Sequence, residues 1–239
     1  MVYGRLRRPA PADGNSWTQS TPEGAGAEQG PRQQRVLAIL NALLTAEKLE
    51  SALYAEGLRS GVLSTVEPDE FGYFQAGLSE EFFHARLLED LGASIPNTRF
   101  WFPPRTFTDL SVFLNQVIFL ESTGVAAYSA AIYQFAGSLR RPVLAEIGAQ
   151  ILGIEAEHRV LARDVAGLEP PNNLCIERVP SLSVARIAQN LTPYLSPNQF
   201  GGRSVGPIAF PNQQMVDRLV GPNACVNPGL PFAIGTGGA

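Results

Sequence analysis

The 239-residue chain contains two histidines, and each has a glutamate three places upstream: Glu81 and His84 in "EEFFHARLL", Glu155 and His158 in "GIEAEHRVL". Residues three apart share one face of an α-helix, so each pair can present a carboxylate and an imidazole to the same point. Either pair alone reads equally well as a satisfied histidine beside a solvated glutamate. A third carboxylate changes the balance. Glu121 is the only charged residue between Asp109 and Arg140. A helix apolar all round is a buried one, and a lone buried carboxylate is costly unless it is paired or coordinates a metal. Upstream, Glu47 and Glu50 follow an apolar stretch of the first helical segment.

The spacings relate these groups. Glu47 to Glu81 is 34 residues, and Glu121 to Glu155 is also 34; the midpoints, Ser64 and Ser138, fall in expected turns. Residues equidistant from the turn of an antiparallel helical hairpin sit at equal height. Each hairpin therefore sets one Glu opposite one Glu-x-x-His. "EKLESALY" runs from Glu47 to Tyr54 and "ESTGVAAY" from Glu121 to Tyr128, so each half also repeats a Glu with a Tyr seven residues on. This repeat selects Glu47 over Glu50. Tyr54 and Tyr128 are then either hydrogen-bonding partners of the ligand carboxylates or ordinary half-buried bundle tyrosines. Glu50, Glu80 and Glu157 fall outside the repeat and read as solvated or salt-bridged. Gly124, which stands where helix 1 has Glu50, reads first as a helix-packing contact, with opening of space beside the site as the alternative.

Four carboxylates and two imidazoles, Glu47, Glu81, His84, Glu121, Glu155 and His158, form a hard-to-borderline ligand set. It suits two ions of iron or manganese, with zinc the second choice. The set is similar to the dinuclear carboxylate bundle pattern, and that resemblance implies that Glu81 and Glu155 would bridge, Glu47 and Glu121 would be terminal, and each histidine would bind one ion.

Four helices must hold these residues. Apolar residues from Val36 to Leu53 recur at helical spacing within residues 33–59. Pro68 opens a second helix to about Leu91, with Gly92 as its stop. Residues 92–107 contain three prolines and form a crossover, in which "RFWF" (residues 99–102) packs against the bundle. Thr108-Asp109 caps a third helix to about Phe135, and Pro142 opens a fourth to about Ala166. The fold class is all-α: a four-helix bundle with a long crossover between helices 2 and 3. The expected organisation is a flexible N-terminal arm (1–31), the bundle (32–168) and an irregular extension packed on it (169–239). Ten of the nineteen prolines lie in that extension, with short helices at "SVARIAQNL" and "NQQMVDRLV".

A net charge of -4 gives no basic footprint, so nucleic acid is not an expected partner. No uninterrupted apolar run of 18 residues indicates a membrane span. Cys175 and Cys225 lack CxxC spacing; they are either a disulfide of an exported protein or two separate thiols. No intact signal peptide is recognisable, and export with the signal removed is slightly favoured over a cytoplasmic location.

Residues 33–167, with Glu47, Glu81, His84, Glu121, Glu155 and His158 in these places, resemble the ferritin-like superfamily of dinuclear carboxylate bundles. The bundle followed by a Pro/Gly-rich extension is most similar to the desiccation-related and stress-associated ferritin-like proteins. The resemblance implies redox chemistry on oxygen, peroxide or ferrous ion at a di-iron or di-manganese centre, of ferroxidase, peroxidase or catalase type. A non-enzymatic stress-protection or assembly protein is the alternative, iron storage a weaker one, and homo-oligomerisation is left open.

Overall fold

The computed structural model describes residues 25–221, with side chains from Gly30 onward. Four long helices dominate: α1 (Ala25–Ser60), α2 (Pro68–Asp90), α3 (Leu110–Ala136) and α4 (Pro142–Val165). α1 pairs with α2 and α3 with α4, and the two hairpins meet through α1 against α3 and α2 against α4. The architecture is the all-α bundle expected. α1 starts at Ala25 and carries Pro31 inside it, so the last residues of the stretch read as an arm are helical; residues 1–24 lie outside the described part.

The helix ends follow local chemistry. Pro68 and Pro142 occupy first-turn positions, where no intrahelical donor is needed. The Asp109 carboxylate accepts from Val112 N at 3.2 Å, capping α3. After α2 the chain turns at Gly92 with φ +96°, a conformation that favours glycine.

The crossover is where the structure adds to the reading. Residues Arg99–Phe102 form a strand, β1, paired antiparallel with β2 (Val205–Ala209) of the extension, in the register Arg99↔Ala209 and Phe100↔Ile208. Phe100 and Phe102 alternate inward and are fully buried, so "RFWF" packs as expected, though as a strand. The rest of the extension supplies α5 (Val184–Ile187), a 3-10 segment (Ala188–Leu195) and α6 (Gln213–Val220).

The extension covers the back of α1. α5 packs on α1 and α3, the 3-10 segment on α1 and β1, and α6 on α1 and α2. In consequence all ten residues from Ala46 to Ala55 are buried, including Lys48, whose ammonium lies 2.7 Å from Glu89 and 5.1 Å from the Phe210 ring centroid. Among the described residues α3 alone is long and apolar enough to cross a membrane; here it is the bundle's core helix. Cys175 is exposed, and Cys225 lies outside the described residues.

Candidate metal centre

All six residues selected by the repeat meet in the middle of the bundle, each buried. Glu47 comes from α1, Glu81 and His84 from α2, Glu121 from α3, and Glu155 and His158 from α4. Helical spacing turns both members of each pair to the inner face of α2 or α4, but the contacts cross between helices: Glu155 lies by His84, and Glu81 is nearer His158 than His84. His84 Nδ1 lies 3.3 Å from Glu47 Oε2, 3.6 Å from Glu155 Oε1 and 3.8 Å from Glu81 Oε2. His158 Nδ1 lies 2.7 Å from Glu81 Oε1 and 3.5 Å from Glu121 Oε2. Glu81 thus faces both imidazoles.

Two tyrosines cross between the hairpins. Tyr54 of α1 donates to Glu121 Oε1 of α3 at 2.6 Å, and Tyr128 of α3 donates to Glu47 Oε1 of α1. Each tyrosine serves the glutamate of the other half, a consequence of α1 lying against α3. Burial and the adjoining carboxylates, Glu121 beside Tyr54 and Glu47 beside Tyr128, push both phenols well above their ordinary pKa. Both remain neutral donors.

Three glutamates outside the repeat behave differently from one another. Glu157 is exposed, as expected. Glu50, expected at a solvated or salt-bridged position, is 1 % exposed, and neither of its oxygens has a partner. Its carboxylate groups with Glu121 and Glu155, with one oxygen from each within 4.8 Å of the others. The extension buries α1 on its outer side, so no face of this helix segment remains to solvate a glutamate. Glu80 is 32 % exposed and salt-bridged, as expected, and its partner is a residue of the centre: its Oε2 is 2.7 Å from His158 Nε2. Gly124 opens space beside the centre, the alternative to a packing contact. A Cβ there would overlap Glu155 Oε2, so the glycine is what admits the Glu155 carboxylate.

The electrostatics of the site leave it uncompensated. Ten buried side-chain atoms of Glu47, Glu50, Glu81, His84, Glu121, Glu155 and His158 have no hydrogen-bond partner. Burial, and secondarily Glu81, pushes Glu47 up to about 8. Burial and neighbouring carboxylates push Glu50 and Glu155 well above the carboxylate range. Glu81 goes the other way: burial works to raise it, but contact with His158 and His84 outweighs that. Burial alone would depress both imidazoles; Glu47 beside His84 and Glu121 beside His158 instead hold them well above 6.5.

Five enclosed carboxylates around two imidazoles are stable only with compensating positive charge, because each uncompensated buried ion costs several kcal/mol. Protons supply part of it in the metal-free chain, yet Glu81 Oε1 and His158 Nδ1, 2.7 Å apart, are both left without a hydrogen-bond partner. Orphaned oxygens and Nδ1 atoms converging from four helices are a donor set for cations that prefer oxygen and imidazole. Two overlapping groups emerge: Glu47, Glu81, His84 and Glu155, and Glu81, Glu121 and His158. These residues fit a metal pair. The surface depressions beside Arg32 and Arg141, and beside Arg35 and Leu182, lie away from this enclosed centre.

No similar curated protein and no similar solved structure was found. The sequence does match the family model of the ferritin-like domain over residues 35–168, a span that begins within α1, ends just after α4 and takes in every residue of the centre. With more than half of the chain matched, and its four helices closing on this carboxylate–imidazole core, the chain belongs to the ferritin-like domain family.

Proposed function

We propose that the centre holds two iron or manganese ions and carries out redox chemistry on oxygen, peroxide or ferrous ion. The observation that carries this reading is the set of enclosed carboxylate and Nδ1 atoms without partners. His84 and Glu47 would hold one ion and His158 and Glu121 the other, with Glu81 and Glu155 shared. Bound there, such ions would supply reversible one-electron steps and open coordination positions.

The chain's own residues set the conditions for that chemistry. Tyr54 and Tyr128 donate to one oxygen of Glu121 and of Glu47, leaving the other oxygen of each directed at the centre. Gly124 leaves room for the Glu155 carboxylate, which a Cβ at that position would overlap. The surrounding Leu44, Leu78, Leu120 and Ile151 are buried and exclude bulk water, which strengthens every charge interaction inside.

The test is elemental analysis of the full chain after expression with iron or manganese, followed by assays of ferrous-ion oxidation and peroxide consumption. About two ions per chain and turnover abolished in Glu81→Ala are expected. Absence of stoichiometric iron or manganese, with no turnover after reconstitution, would sink the proposal. Stoichiometric metal without turnover would favour a second reading, a non-enzymatic role in which the ions brace the bundle. The uncompensated carboxylates support that reading too.

A further inference from the structure

The two hairpins repeat at an offset of 74 residues: Glu47 with Glu121, Tyr54 with Tyr128, Glu81 with Glu155, and His84 with His158. At two places beside the centre the repeat fails. Glu50 is matched by Gly124, and Glu80 by Ile154. Both extra carboxylates come from the first hairpin and reach residues of the second. Glu50 groups with Glu121 and Glu155, while Glu80 bonds His158. Resting on the metal reading above, we propose that the two cation positions are inequivalent, and that Glu50 and Glu80 make the Glu121/His158 position the tighter one, so that it fills first.

Glu80 acts through His158. With its carboxylate accepting the Nε2 proton at 2.7 Å, the ring is held in the tautomer whose Nδ1 lone pair faces Glu81 and Glu121. A carboxylate on the distal nitrogen also makes an imidazole a better donor, and losing such a partner typically weakens a metal site about 10–100-fold. His84 has no equivalent: among the described residues every carboxylate that reaches it, Glu47, Glu81 and Glu155, does so at Nδ1.

Glu50 acts directly by charge. It is enclosed, its two oxygens have no partner, and it adds a fifth carboxylate beside Glu121 and the shared Glu155. The other half cannot be matched by substitution alone, because the space over Gly124 is filled by the Glu155 carboxylate. Glu80 is a positioning residue, and Glu50 a candidate ligand for a hard divalent cation.

The experiment titrates the metal-free full chain with Mn2+ followed by calorimetry and by the Mn2+ magnetic-resonance signal, and with Co2+ followed by its visible bands. Two steps at least tenfold apart are expected, the first giving an isolated Mn2+ signal that the second broadens. Glu80→Gln and Glu50→Gln should each weaken the first step about 10–100-fold and leave the second nearly unchanged. In Glu80→Gln the Co2+ bands of the first equivalent should shift, which a merely structural role would not produce. One unresolved step for two ions in the wild type overturns the inference while leaving the metal reading intact, as does weakening confined to the second step. Failure to bind Mn2+, Co2+ or Fe2+ at all removes both. Should Glu50→Gln not fold, the partly exposed Glu80→Gln decides alone.

Discussion

Gly124 lies on α3 at the point where the Glu155 carboxylate from α4 passes over it, and this single missing Cβ gives a clean separation between fold and site. The atom in the way is the end of a flexible side chain, so Gly124→Ala leaves the helix packing intact. In a helix interior it is favoured by about 1 kcal/mol. The displaced group, however, is a shared carboxylate of the centre. Gly124→Ala should therefore melt at or above the wild-type temperature when metal-free, yet bind Mn2+ about tenfold or more weakly. Circular-dichroism melts and equilibrium dialysis measure the two effects. Wild-type affinity in this variant would remove the role given to Gly124. The same neighbourhood shows where sequence reasoning stops at the residue scale. The repeat exposes what the halves share, so the six paired residues and the two tyrosines could be read from spacing. Glu50 and Glu80 break the repeat and were invisible to it for that reason. Helical periodicity could not recover Glu50 either, since its surroundings, Glu121 and Glu155, come from the other hairpin.

Among the elements, the extension decides whether the bundle stands alone. The family match ends at residue 168, but Val184, Ile187, Leu191, Tyr194, Val216 and Val220 are all buried against the bundle. At about 1.5–3 kcal/mol for each fully buried apolar side chain, they contribute on the order of 10 kcal/mol, comparable with the entire stability of a domain. Polar ties add register: Tyr194 donates to Gln116 Oε1 at 2.7 Å, and Gln75 donates to Leu219 O at 2.8 Å. A chain ending at residue 168 would also leave Lys48 and Phe82 without Phe210. Metal-free, it should lack a cooperative unfolding transition, whereas the full chain shows one in calorimetry. A sharp transition near the full-length temperature would mean the extension only decorates the bundle. The four helices and their caps were legible because Pro68, Asp109 and Pro142 act locally. The β1–β2 pairing was not, because short strands about 110 residues apart carry no local signal of each other.

For the whole molecule, the enclosed charge couples stability to pH. Glu47 is pushed up to about 8 by burial and by Glu81, and Glu50, Glu121 and Glu155 are raised chiefly by burial. A carboxylate whose folded value exceeds its unfolded value, near 4.5, binds more protons folded than unfolded between those limits. Its stabilising contribution is therefore complete below about 4.5 and is lost as pH rises through the folded value. The imidazoles, held above 6.5 by Glu47 and Glu121 against the effect of burial, act in the same direction at higher pH. Glu81, held low by the two histidines, has the opposite sign, but its window lies below 4.5. From pH 5 to pH 8 the metal-free chain should accordingly lose a few kcal/mol, or roughly 10 °C in Tm for a chain of this size. Cations replace those protons, and binding them releases protons, so their stabilisation grows over the same interval. The Tm difference between Mn2+-loaded and chelator-treated protein should widen from pH 5 to pH 8. A chelator-treated Tm that stays level or climbs across that interval would show that the carboxylates are neutralised by something other than protons, and the charge balance assigned to the centre would have to be abandoned.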